Sequence, residues 1–140
     1  MKYRHHQLEY EIDDTWLAEA GVLSFTLNRD CYLADCTDVP MAKIFTVPID
    51  SVAPSLERAK LRGIFFDDKD TGDSAKQRVI RILRWFLEYH AVGPIKVVIS
   101  KEKQYQYKLV GGCHRFHCAL ALGFKNVPAT MGFDMSEPYA

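Results

Sequence analysis

A strand, two glycines and a helix follow one another in the second half of the chain, and this order constrains the fold most. Apolar and polar residues alternate over Tyr105–Leu109, a pattern typical of a strand with one buried face. Gly111 and Gly112 then allow a sharp turn, or a close approach of the backbone to a ligand. Apolar residues at helical spacing begin at Phe116, and Gly123 follows them, which predicts a helix with a glycine stop.

The start of this helix is a candidate site for an anion. Backbone N–H groups and the positive end of the helix dipole point out of a helix N-terminus, and phosphate suits both. Arg115 can donate two hydrogen bonds to a phosphate through its guanidinium fork. The dipole and the neighbouring cation favour the thiolate of Cys113, which is the nucleophilic form. A structural turn with a packed Cys113–His114 pair is the alternative.

The loop Gly111–Arg115, Gly-Gly-Cys-His-Arg, resembles the loop of sulfiredoxin, which also lies between a strand and a short alanine-rich helix. The wider order of elements is similar to the ParB/sulfiredoxin superfamily, with an opening strand at 45–50, a helix, a strand at 93–99, the loop and a last strand around Val127. The resemblance covers roughly residues 44–132. It implies an α+β fold, a single domain in which helices pack on a small mixed sheet, with an extra N-terminal segment.

We therefore expect three regions. Residues 1–43 are an N-terminal extension packed on the core, residues 44–132 are the ParB/sulfiredoxin-like domain, and residues 133–140 are a tail. A chain of 140 residues suits one domain with a single core.

Local patterns predict elements in the first 63 residues. A strand and then a helix are predicted over Glu9–Gly21, with Asp14 or Thr15 as the N-cap and the glycine as the stop. A short strand is predicted at Leu23–Leu27, and a short helix with a glycine stop at Ser55–Gly63.

A long helix is predicted from Ser74 to about His90. Ser74 and Gln77 match a capping box, and Gly93 with Pro94 is predicted to end the helix. Its core positions are Val79, Ile82, Leu83 and Phe86. Three arginines on the other face form either a basic ridge or an ordinary solvated face: Arg78, Arg81 and Arg84.

The resemblance implies that this helix also contacts a nucleotide. In sulfiredoxins a lysine near its start meets nucleotide phosphate, and Lys76 has a similar position here. The hydroxyl residues that follow one and two turns later in that family would fall near Val79 and Leu83, which have no hydroxyl, so Arg78 or Arg81 would substitute. The implied nucleotide-binding set is Lys76, Arg78, Gly111, Gly112, Cys113, His114 and Arg115.

The resemblance further implies a reaction. In sulfiredoxins, ATP with Mg²⁺ supplies a phosphoryl group to the sulfinate of a peroxiredoxin, and the loop cysteine resolves the ester. By this resemblance Cys113 is the nucleophile, His114 donates to or orients the phosphate, and Arg115 activates both cysteine and phosphate. Cys118, about one turn on, is expected to be a small core residue.

Two other functions stay open on the sequence. Superfamily relatives resemble kinases of free serine, where a carboxylate acts as the base, and the candidates here are Glu57, Asp67 and Asp68. The second is a non-catalytic module in which a nucleotide gates an interaction. ParB proteins carry a helix-turn-helix after this domain, and only 17 residues follow Gly123, so we do not expect sequence-specific DNA binding.

Composition narrows the classes of partner and compartment. The 18 basic residues balance 18 acidic ones, so the charge does not indicate wholesale nucleic-acid binding. No apolar run approaches the ~20 residues of a membrane helix, and the N-terminus lacks the apolar segment of a signal peptide. We expect a cytoplasmic protein with its four cysteines mostly reduced. The spacing of Cys31 and Cys36 does not favour a metal site.

Overall fold

The structure, a computed structural model, describes residues 1–22, 30–34, 40, 43–54, 65–67, 69–89 and 91–132. Their elements, in chain order, are β1 (Lys2–His5), β2 (Leu8–Glu11), α1 (Asp14–Ala20), β3 (Leu33–Ala34), β4 (Phe45–Pro48), α2 (Ala75–Tyr89), β5 (Ala91–Val92), β6 (Ile95–Ile99), β7 (Tyr107–Gly111), α3 (Cys113–Leu122) and β8 (Asn126–Met131). A short 3₁₀ helix, Ile49–Ser51, follows β4. None of the helices in these ranges is long and apolar enough to cross a membrane.

A mixed four-stranded sheet in the order β4-β8-β6-β7 forms the centre of the fold. Strand β8 pairs antiparallel with β4 and parallel with β6, and β7 pairs antiparallel with β6. The sheet contributes fully buried side chains to the core, among them Val47, Ile95, Val97 and Val127. This mixed sheet with its packed helices confirms the predicted α+β class.

Helix α2 begins with the predicted capping box. The Ser74 N–H donates to Gln77 Oε1 at 2.8 Å, and the Gln77 N–H donates to Ser74 Oγ at 3.2 Å. The predicted core face is buried: Val79, Ile82, Leu83 and Phe86. The helix ends at Tyr89, within one residue of the predicted end near His90, but Gly93 is not its stop, because Ala91–Val92 already forms β5, a strand that pairs parallel with β3.

Helix α3 begins and ends at glycines. Gly112 is the N-cap with φ +80°, and Gly123 ends the helix with φ +83°, both in the left-handed region that glycine adopts without strain. The preceding strand lies two residues later than its alternation predicts, since the Gln106 N–H donates to the Ser51 carbonyl outside the ladder. Gly111 is the last residue of β7 and not part of the turn.

The N-terminal hairpin of β1 and β2 packs against α3. Tyr3 Oη lies 3.2 Å from His117 Nδ1, and His5 Nε2 donates to the Val52 carbonyl at 2.6 Å. Helix α1 then begins at an N-cap one residue before the expected pair, because Asp13 Oδ1 accepts from the Thr15 N–H at 2.8 Å.

The division into 1–43, 44–132 and 133–140 stays a prediction. The strand expected at Leu23–Leu27 and the helix expected at Ser55–Gly63 lie outside the described residues.

Candidate functional site

A cleft of about 460 Å³ lies between α2 and the first turn of α3. Helix α2 contributes Arg78, Arg81, Ile82 and Trp85 to its lining. The start of α3 contributes Gly112, Cys113, His114 and Arg115. The segment before α2 contributes Phe66, Thr71 and Asp73. The cleft thus brings together five of the seven residues predicted to bind a nucleotide.

Helical geometry decides which residues of α2 reach the cleft. Arg81 and Trp85 lie three and seven residues after Arg78, which places all three on one face of the helix. Lys76 is two residues before Arg78, about 200° away around the axis, so it points elsewhere. Its Nζ lies 2.9 Å from a carboxylate oxygen of Glu19 on α1, and it lines a neighbouring groove. The structure therefore does not bring Lys76 to the other predicted residues.

The same geometry decides where Val79 and Leu83 lie. Val79 and Leu83 are fully buried in the core, so neither side chain reaches the cleft. The positions three and seven residues after Arg78 that do reach it are Arg81 and Trp85. The face of α2 that lines the cleft is therefore the one that carries Arg78, Arg81 and Trp85.

Gly112 shapes the floor of the cleft where α3 begins. A Cβ at this position would lie 3.0 Å from Arg115 Nη2 and 3.2 Å from the Ile95 Cα, in addition to the strain of φ +80°. The guanidinium of Arg115 is therefore folded over the backbone of the turn, a position that only glycine permits. Gly111 does not line the cleft; a Cβ there would lie 3.2 Å from the Lys96 Cβ of the neighbouring strand.

Two further guanidinium groups are held at the cleft by short contacts. Arg78 Nη1 donates to the Phe66 carbonyl at 3.3 Å, and its Cζ lies 5.2 Å from the centre of the Phe66 ring. Arg81 Nη1 pairs with Asp73 Oδ2 at 3.1 Å. The side chains of Arg78 and Arg81 are thus held by the segment that precedes α2. With Arg115, they place three arginines around one cleft.

Cys113 and His114 form the wall of the cleft and are largely buried, with exposed fractions of 7% and 4%. His114 Nε2 accepts a hydrogen bond from the Phe66 N–H at 3.3 Å, which assigns the ring the neutral tautomer protonated at Nδ1. Its ring packs edge-on against Phe66, with centroids 4.7 Å apart. Among the described residues, Cys113 forms no disulfide.

Of the three carboxylates considered as bases, the structure describes Asp67. Asp67 Oδ1 accepts from the Ala75 N–H at 2.7 Å and so caps α2, while Glu57 and Asp68 lie outside the described residues. Asp73, which does line the cleft, was not singled out by the sequence. Within the part of the chain that the structure describes, no group of three or more His, Cys, Asp or Glu side chains is placed to hold a metal ion.

The sequence analysis did not single out Trp85, although its position seven residues after Arg78 indicates that the two residues share a helix face. Cys118 is the core residue expected from its spacing: it is fully buried, and burial, with a smaller effect of Cys113, raises the pKa of its thiol.

Comparison with known proteins gives a structural similarity and no sequence match. No protein-family profile matches the chain, and no curated protein matches it. The crystal structure of sulfiredoxin from Arabidopsis thaliana is similar at a TM-score of 0.43, with 20% sequence identity over 66% of this chain and 85% of that chain. No activity follows from a similarity of this size.

Proposed function

We propose that the chain binds the phosphate groups of a nucleotide, ATP with Mg²⁺, in the cleft between α2 and α3, and transfers a phosphoryl group to a sulfinic acid or a similar acceptor. One observation carries the proposal: three guanidinium groups and the first turn of a ten-residue helix meet at one cleft of about 460 Å³. The whole chain has a net charge of zero, so this concentration of positive charge is local.

The residues present fit a phosphate chain. The absence of a Cβ at Gly112 leaves the guanidinium of Arg115 close to the backbone of the turn, where the helix dipole also favours an anion. Arg78 and Arg81 face the same space from α2 and are held there by the Phe66 carbonyl and by Asp73. Guanidinium groups bind phosphate through two parallel hydrogen bonds, so the cleft offers more than point charges.

Bound ATP would supply the transferable phosphoryl group, and the chain would supply charge and position. Phosphoryl transfer depends mainly on positioning and charge neutralisation, which is what Arg78, Arg81 and Arg115 provide in this proposal. Cys113 is the nucleophile, as its loop resemblance implies: its thiolate would attack the sulfur of the resulting sulfinyl phosphate, so that an S–S bond forms and phosphate leaves. Cys113 lies in the wall of the cleft. A protein acceptor such as a peroxiredoxin would have to present its oxidised cysteine at this wall.

A non-catalytic nucleotide-gated module is the second candidate. It is favoured by the burial of Cys113, whose side chain is almost closed off from solvent. A kinase of a small hydroxyl compound is disfavoured, because Asp73 is the described carboxylate in the cleft lining and it is paired with Arg81.

Calorimetric titration of ATP with Mg²⁺ tests the proposal. We expect binding in the micromolar range to the wild type, weakened about tenfold or more by Arg115→Ala or Arg78→Ala, which each remove a charged hydrogen-bond donor. Arg84→Ala is the matched control, because Arg84 lies on α2 but lines the neighbouring groove. If the wild type bound neither ATP, CTP nor GTP, the proposal would be wrong.

A second assay separates the enzyme from the module. Phosphate release with a sulfinylated peroxiredoxin is measured for the wild type and for Cys113→Ser. Release that depends on Cys113 supports the reaction, whereas nucleotide binding without any release supports the module.

A further inference from the structure

Trp85 is a large apolar residue that the fold leaves partly exposed, where the cleft adjoins the neighbouring groove. It is 39% exposed, while the next residue, Phe86, is fully buried in the core. The exposure of an indole costs hydrophobic free energy that burial would recover, and exposed aromatic side chains at a cleft favour ligand contact.

The ring of Phe66, which also lines the cleft, already contacts other side chains. Phe66 has the guanidinium of Arg78 over its ring and the imidazole of His114 against it. Among the described residues, no ring–ring or cation–ring contact involves Trp85. The indole is therefore the aromatic ring of the cleft lining that no described ring or cation contacts.

Trp85 also lies at the correct end of the cleft for the organic part of a ligand. It is seven residues after Arg78, about 10 Å along the axis of α2. Arg78 contacts the end of the cleft where Phe66 and His114 lie, and Arg81, paired with Asp73, lies between Arg78 and Trp85. A ligand with an anionic group among the arginines would extend along the same helix face to the indole.

We propose that Trp85 is the surface on which the base of the nucleotide stacks, so that the cleft selects nucleotides over inorganic polyphosphates. This inference rests on the proposed function and names the residue that recognises the part of the ligand beyond its phosphates. Stacking on an aromatic side chain tolerates any base, because every base has a π face. The site therefore distinguishes a nucleotide from a polyphosphate without a base more strongly than it distinguishes nucleotides with different bases.

The test compares two ligands, ATP and tripolyphosphate, each with Mg²⁺, by calorimetry. Trp85→Ala is expected to weaken ATP binding about tenfold and to leave tripolyphosphate binding unchanged, because the removed stacking involves only the base. Trp85→Phe, which keeps a π face, should retain most of the affinity for ATP. Tyr89→Ala is the matched control: it removes an aromatic ring that is 62% exposed one turn further along α2 and lines only the neighbouring groove.

A fluorescence measurement gives an independent readout. The chain has two tryptophans, and Trp16→Phe leaves Trp85 as the only one. We expect ATP to quench the emission of this variant and tripolyphosphate to leave it unchanged.

The outcomes distinguish this inference from the function on which it rests. If the wild type bound neither ligand, the proposed function would fail. If it bound ATP but Trp85→Ala had the same affinity, or weakened both ligands equally, the function would stand and the stacking role would be wrong.

Discussion

The first six residues of α3 are Cys-His-Arg-Phe-His-Cys, so the segment begins with a Cys-His pair and ends with a His-Cys pair. The fold gives the two pairs different surroundings. Cys113 and His114 line the cleft, whereas His117 and Cys118 are fully buried. His117 packs against Tyr10 with ring centroids 4.8 Å apart, under the N-terminal hairpin. The residue types alone therefore do not show which pair lies at the site and which lies in the core. The hairpin, which covers the second pair, makes the difference.

The two histidines show the difference most clearly. His114 and His117 are one turn apart and both contact the ring of Phe65, with centroids at 5.8 Å and 6.4 Å. His114 accepts from a backbone N–H beside the cleft, while His117 Nδ1 meets the hydroxyl of Tyr3 from β1. We infer that the second turn of α3 anchors the hairpin and that the first turn remains available for a ligand.

The largest expected effect lies on the covered turn. Phe116 is almost fully buried and packs edge-on against His5 of the hairpin, with centroids 5.4 Å apart. Phe116→Ala should lower the free energy of unfolding by about 3–5 kcal/mol, measured by urea denaturation, because it leaves a cavity. Trp85→Ala in the cleft should change the unfolding free energy by less than about 0.5 kcal/mol, since the indole is partly exposed. Equal costs for the two substitutions would contradict the distinction between the covered part of α3 and the open cleft.

The two cysteines should differ by a smaller amount. Cys118→Ser places a hydroxyl in a fully buried apolar position and should cost about 1–3 kcal/mol of stability. Cys113→Ser should cost less, because its side chain reaches the cleft. Thermal unfolding of the two single variants checks the order. A reversed order would show that Cys113 is the packing residue and would weaken its assignment as the nucleophile.

The smallest effect concerns pH and the hairpin. Burial lowers the pKa of His5 below its ordinary value, and the ring of His6 adds to this, while the Val52 carbonyl and Asp50 act in the opposite direction. Nε2 donates to that carbonyl, and Nδ1 has no hydrogen-bond partner among the described residues, so protonation would bury an unpaired N–H.

The sign follows from the lowered pKa. As the pH falls below about 6.5, the unfolded chain takes up a proton at His5 before the folded chain does, so stability falls until the folded-state pKa is also passed. Urea denaturation between about pH 8 and pH 5 should show this loss in the wild type and a smaller loss in His5→Gln, which cannot titrate. Identical pH dependence in both proteins would show that the hairpin contact does not titrate.

Much of the local structure was predictable because its causes are local. The capping box at Ser74, the core face of α2 and the glycine stops at Gly21 and Gly123 each depend on residues within two turns of one another. The end of α2 was also predicted to within one residue, but the short strand that follows it was not. Strand β5 exists because residues 33–34, nearly 60 positions earlier, pair with it.

For the candidate site, the sequence by itself determined the glycine turn, the helix that follows it and the residues carried on its first turn. Only the tertiary structure decided that Arg78, Arg81 and Trp85 line the cleft at that turn while Lys76 pairs with Glu19 of α1. The physical reason is that a helical pattern defines faces relative to one another, whereas the packing of α1, α2 and α3 decides which face meets which neighbour. The hairpin then covers the second turn of α3, in keeping with the core position that the sequence predicts for Cys118.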